Sequence, residues 1–178
     1  MKVCEAFLVG RLGPVAWVRI AGCANQHNSG GLKDFLKAQF EGGCRHFVID
    51  LEECKGIDST FIGLLYNYAR KMDEESEPNN GVEIISSSER NAKSIQKLGL
   101  DILIHIQSDE EKWSKEQAMV RENIGRPLPE KEQTRQERAE MVLDAHEILM
   151  ESNKANESRF RDVVNLIRQD MDSDCGNV

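Results

Sequence analysis

The short run HFVIDL, residues 46–51, constrains the fold more than any other stretch of the chain. A nearly unbroken apolar run of this length reads as a strand buried on both faces, central in a sheet covered by helices. EAFLVG (5–10), VAWVRIA (15–21), VEIIS (82–86) and ILIHI (102–106) read as four further strands. Between them the apolar period changes from two to 3.6. Leu32, Phe35, Leu36 and Phe40 mark a helix over 32–41, closed by Gly42-Gly43. Phe61, Leu64, Leu65, Tyr68 and Met72 mark a second helix that begins near Asp58. Ala92, Ile95 and Leu98 mark a third, with Ser86 and Glu89 at capping-box spacing. Ser108 and Glu111 repeat that spacing and open an acidic helix containing Trp113.

The predicted order is β-β-α-β-α-β-α-β-α. It implies an α/β fold with a mixed, mostly parallel sheet of about five strands joined by right-handed crossover helices. Gly13-Pro14 leaves too short a connection for a crossover, so the first two strands are expected to be antiparallel. Segment 52–57 reads as a loop. Gly125, Pro127 and Pro129 interrupt the pattern, and beyond them the chain is polar and helical. Ala139, Val142, Leu143, His146, Leu149 and Met150 share one face of a helix over about 130–152. After a turn at 153–156, Phe160, Val163, Val164, Ile167 and Met171 form a second stripe. The expected organisation is a main domain at 1–120, a linker at 121–129, a helical hairpin at 130–172 and a disordered tail at 173–178. The hairpin must dock on the main domain or on another chain, because isolated helices of this length are marginal in water.

A net charge of -8 argues against partners that are themselves strongly negative, such as nucleic acid or an anionic membrane. The N-terminal residues do not read as a signal peptide, and no run approaches the length of a membrane helix, so the expected location is cytoplasmic. Cys4, Cys23, Cys44, Cys54 and Cys175 are scattered and odd in number, which reads as reduced, mostly buried thiols. His27, His46, His105 and His146 have no metal-ligand spacing with them, so neither a metal nor a cofactor is expected. His105 and His146 read as hydrogen-bonded structural histidines. No G-x-S-x-G elbow, Walker loop or dinucleotide fingerprint occurs. Gly30-Gly31 is too sparse to cradle a pyrophosphate, and the chain reads as a binding protein without catalytic residues.

The informative segment is VIDLEECKGIDSTFIGLL, residues 48–65. A buried strand leads through a loop that delivers Asp58, Ser59 and Thr60 to a helix start. Asp58 and Ser59 are good caps on their own account. Gly63, one turn in, costs about 1 kcal/mol relative to alanine, which suggests close approach of a backbone or a partner, or tight packing against the sheet. With the strand and helix order, this segment resembles the phosphorylation motif of the STAS domain family, the anti-sigma factor antagonists, over about residues 1–120. Phe61 departs from the small residue, usually glycine, that many members carry there.

The resemblance implies a phosphorylation-controlled antagonist. Ser59 would be the phosphoacceptor, Thr60 a backup acceptor and Asp58 the residue preceding the acceptor. An anti-sigma factor with serine kinase activity would bind the unmodified domain and release it once phosphorylated, and a serine phosphatase would reset it. The expected partner surface comprises Asp58, Ser59, Thr60, Ile62, Gly63 and Tyr66, with Ala69 on the same stripe. Burial of that stripe beneath the C-terminal hairpin is the competing expectation. The alternative functional reading is a scaffold that self-associates, as a homodimer or larger complex, through the C-terminal helices. An enzyme using the loop before Ser59 is a third, disfavoured because the motif supplies no general base.

Overall fold

A computed structural model describes residues 6–75, 80–107, 112–123, 126–129 and 131–175. The strands are β1 (Ala6–Leu12), β2 (Val15–Ala24), β3 (His46–Asp50), β4 (Cys54–Ile57), β5 (Gly81–Ile85), β6 (Ile104–Ile106) and β7 (Arg126–Pro127). The helices are α1 (Ser29–Glu41), α2 (Ser59–Glu74), α3 (Glu89–Gln96), α4 (Ser114–Asn123), α5 (Arg135–Ser152) and α6 (Lys154–Cys175). The sheet runs β6-β5-β3-β2-β1-β7, with β4 paired to the end of β2. HFVIDL supplies the central strand as its composition requires. β2–β3, β3–β5 and β5–β6 pair in parallel, and β1–β2 is antiparallel.

The chain is thus α/β with a mixed, mostly parallel sheet, but the described residues form seven strands rather than five. Two were hidden. The segment read as a loop at 52–57 contains β4, which pairs with Gly22–Ala24 where β2 outruns β3. The segment read as a linker contains β7, two residues paired to the free edge of β1. Other boundaries shift for local reasons. Ser88, not Ser86, caps α3 by accepting from Asn91 N at 3.3 Å. Ser86 has φ of 53° and its hydroxyl accepts from the Gln117 amide instead. Asn153 alone forms the hairpin turn, because its Oδ1 caps α6 at Asn156 N within 2.9 Å. Helix α6 continues to Cys175, past the expected start of a tail. The Ser108–Glu111 pair lies outside the described residues.

Both sheet faces are covered. On one, α1, α2 and α3 bury Phe47, Ile49, Val82 and Ile84. On the other, α4 and the turn before it bring Val120 and Trp113 onto Val15, Trp17, Val48 and Ile85. The Trp17 and Trp113 rings meet edge to face, 5.8 Å between centroids. Glu83, 7% exposed, sits on this second face. Its carboxylate accepts from Lys112 Nζ at 2.7 Å, Trp113 Nε1 at 2.9 Å and Gln107 Nε2 at 2.8 Å, and lies 3.0 Å from His46 Nε2. Burial alone would raise the Glu83 carboxyl, but these hydrogen bonds and His46 outweigh it and hold it below the usual carboxylate range.

The hairpin docks on the main domain, over α2 rather than over either face of the sheet. Helix α5 lies across the outer side of α2, making a further layer. Arg70–Glu151 at 2.6 Å and Lys33–Asp144 at 3.0 Å tie it to α2 and α1. The amides of Asn153 and Asn156 donate to Leu98 O at 3.0 and 2.8 Å, fixing the turn to the end of α3.

A folded pKa below the unfolded value means that Glu83 stabilises the fold above the ordinary glutamate range. The contribution is lost as pH falls through the lowered folded value. Glu83→Ala leaves Lys112, the Trp113 N–H and Gln107 without their acceptor, and is expected to cost about 3 kcal/mol near neutral pH. In urea denaturation the gap between wild type and variant should narrow as pH falls below about 4. A gap that stays constant down to pH of about 3 would contradict this account of the anchor.

Candidate functional site

The site lies where α2 begins. Asp58 is extended, with φ -101° and ψ 174°, and caps the helix through Oδ1, which accepts from Phe61 N at 2.8 Å. Its Oδ2 accepts from Gln26 N at 2.9 Å, fastening the β2–α1 loop to the same corner. One carboxylate therefore fixes both the helix start and the loop beside it. The capping that the residue type suggests is what Asp58 does.

Ser59, half-buried, is the first residue of α2. Its Oγ is 2.9 Å from Nε2 of His146 on α5. The other ring nitrogen, Nδ1, is 2.7 Å from the Val142 carbonyl oxygen. A carbonyl can only accept, so Nδ1 carries a proton. In the neutral ring Nε2 then holds the lone pair and accepts from the Ser59 hydroxyl. His146 is 5% exposed, and its ring packs against Phe160 of α6 at 5.1 Å. The expected structural role of this histidine is thus only part of its environment, because its second nitrogen is committed to Ser59.

A cavity of about 1010 Å³ opens at this pair. Val142, Val163, Ile167 and Met171 give it an apolar wall, and Arg135 and Arg138 line it as well. Arg138 Nε is buried with no hydrogen-bond partner among the described residues. Asp58 and Asp170 also reach the lining.

The other expected surface residues lie beneath the hairpin. Thr60 is 2% exposed, Ile62 3% and Tyr66 5%; Gly63 and Ala69 are buried too. Phe61 faces the core and stacks on Phe7 at 6.5 Å, so its departure from the usual small residue leaves the outer surface unchanged. A Cβ on Gly63 would lie 2.5 Å from the Ala145 carbonyl oxygen. The glycine is therefore required by the approach of another backbone, and that backbone belongs to α5. A Cβ on Gly30 would meet only the flexible end of the Gln133 side chain, a weaker constraint. The sequence singles out Ser59 but does not show His146 as its neighbour. The available signal was a histidine on an otherwise apolar helix stripe.

Solved structures resemble this arrangement of sheet and helices. SpoIIAA, an anti-sigma factor antagonist, matches in its unphosphorylated form with a TM-score of 0.52 and 17% identity, over 64% of this chain and 97% of that one. The phosphorylated form of the Bacillus SpoIIAA matches at 0.50 and 18% identity, over 62% of this chain and 98% of that one. The anti-sigma factor antagonist of Mycobacterium paratuberculosis matches at 0.50 and 17%, over 68% and 97%. The fold is the STAS fold of the anti-sigma factor antagonists. No protein-family model and no curated protein matches the chain. At these identities the likeness concerns the STAS fold alone, which spans almost the whole of each matched structure but under seven-tenths of this chain. Among the described residues no helix is long and apolar enough to cross a membrane.

The Gly63–Ala145 approach yields a direct test. Gly63→Val places atoms against backbone that cannot yield locally, so α5 should lift at a cost of about 1–3 kcal/mol. Hydrogen exchange should quicken across 135–175 while the strands β2, β3 and β5 keep their protection. Unchanged exchange throughout the hairpin would show that this contact does not hold α5 down.

Proposed function

We propose that the chain is a phosphorylation-controlled protein-binding module of the anti-sigma factor antagonist type, with Ser59 as its phosphoacceptor. The observation that carries this reading is the position of Ser59, first residue of a capped helix and part of the lining of a cavity. Thr60, the backup acceptor, is buried. A protein of the same fold, SpoIIAA, exists in unphosphorylated and phosphorylated forms. The free N–H groups and dipole at a helix start tolerate an added phosphate without melting the helix.

In this reading the partner is an anti-sigma factor with serine kinase activity, opposed by a serine phosphatase. The partner face runs through Asp58, Ser59, Thr60, Ile62, Gly63 and Tyr66. The chain's own α5 covers that face, so the partner must displace the hairpin or find it already lifted. A phosphate adds about 1.5–2 negative charges where the Ser59 hydroxyl now meets His146. It changes both bulk and sign beside Asp58. Losing 10²-fold in affinity requires only about 2.7 kcal/mol.

The alternative of a self-associating scaffold draws on α6, whose Leu166 is 60% exposed. Light scattering separates the two readings, since a single-chain mass at working concentration removes the scaffold.

Phosphopeptide mapping of the protein purified from its own cells tests the main reading. Phosphate is expected at Ser59 and should vanish in Ser59→Ala. Absence of phosphate from both Ser59 and Thr60 across growth and stress conditions would overturn it.

A further inference from the structure

The motif around Ser59 offers no general base in sequence, yet the fold brings one from 87 residues away. Ser59 Oγ, His146 Nε2, His146 Nδ1 and the Val142 carbonyl form a continuous relay with steps of 2.9 and 2.7 Å. A hydroxyl donating to an imidazole lone pair, with the ring's other nitrogen fixed by an acceptor, is the arrangement that activates a serine nucleophile. Here the third member is a backbone carbonyl, which fixes the tautomer but carries no charge. Capping needs none of this. Asp58 already caps the helix start, so the Ser59 hydroxyl is free to face the buried ring.

The surroundings suit a substrate. The cavity is large enough for a small organic molecule. Its apolar wall, Val142, Val163, Ile167 and Met171, accommodates an alkyl chain. Arg138 is also in the lining and brings a guanidinium to the cavity. Phe61 N is taken by the Asp58 carboxylate, but the N–H groups of Ser59 and Thr60, the first two of α2, have no intrahelical acceptor and lie at the attacking residue, where an oxyanion would develop. The lining carries both signs, Asp58 and Asp170 with Arg135 and Arg138, so a neutral substrate suits it, and a neutral ester carbonyl is an electrophile that a serine paired with a histidine attacks.

We propose that Ser59 and His146 form a nucleophile–base pair that accepts an acyl group from a carboxylic ester with an apolar acyl chain. Ser59 Oγ bonds to the carbonyl carbon as its proton passes to His146 Nε2. The bond from that carbon to the ester's alcohol oxygen breaks, and the alcohol leaves with the proton from Nε2. The product is an acyl ester on Ser59, and no oxidant, reductant or metal enters the balance. The proposal goes beyond the phosphorylation reading and does not depend on it, because a hydroxyl poised this way is reactive whether or not a kinase also uses it.

The test uses the full chain and p-nitrophenyl butyrate. Wild type should release at least one equivalent of p-nitrophenolate and gain one butyryl group, located by peptide mass at Ser59. Ser59→Ala should do neither. His146→Ala should slow acylation by about 10²-fold, and added imidazole should restore much of the rate. Rescue by imidazole separates loss of a base from loss of packing. Absence of butyryl on Ser59 in the wild type would overturn the proposal, as would an unchanged rate in His146→Ala or a loss that imidazole does not repair. The phosphopeptide map reads the phosphorylation reading independently, so either can fail alone.

Discussion

The approach of α5 to α2 at Gly63 is the contact on which the functional end of this molecule depends. Helix α2 has two sides, and both are buried. Its inner side carries Phe61, Leu65 and Met72 into the core above the sheet. Its outer side would be an apolar strip through Ile62, Tyr66 and Ala69, were α5 not laid over it. Two helices come this close only where one lacks a side chain, and Gly63 against the Ala145 carbonyl supplies that gap. The same approach carries His146 to Ser59. One steric fact therefore closes the outer face of α2 and sets the chemistry of the residue at its start.

The opposite sheet face explains why the hairpin goes where it does. A hairpin with an apolar face needs an apolar surface, and the sheet side left by α1–α3 would have offered one. Helix α4 covers that side instead, with Trp113 just before it packed against Trp17 and bonded to the Glu83 carboxylate. With that face filled, the outer side of α2 remains, and the Asn153 and Asn156 amides lock the hairpin turn to Leu98 O. Surface ion pairs such as Arg70–Glu151 add direction more than stability.

Much of the fold was legible because its signals are local. The apolar run at 46–51, the spacing of Phe61, Leu64, Leu65 and Tyr68, and Asp58 at the start of α2 each express a short-range rule. The missed strands express none. Cys54-Lys55-Gly56-Ile57 lacks alternation and becomes β4 only because β2 extends beyond β3 to meet it. Arg126-Pro127 is a strand solely by pairing with β1. At the site, sequence pointed to Ser59 and to a close approach at Gly63, but not to what approaches. That information is tertiary. His146 reads as a structural histidine until α5 is placed across α2, and helix periodicity gives the apolar stripe of α5 without its docking partner.

The account stands on the hydrogen bond between Ser59 and His146, and the protonation pattern of that ring is its most direct measure. Long-range ¹H–¹⁵N correlation of the histidine ring nitrogens reports which one carries the proton. At a pH where the ring is neutral, the account predicts a proton on His146 Nδ1 and an unprotonated Nε2, with the Nε2 resonance moving when Ser59 is replaced by alanine. A proton on Nε2, or a resonance indifferent to Ser59→Ala, would mean that the hairpin does not hold Ser59 as described.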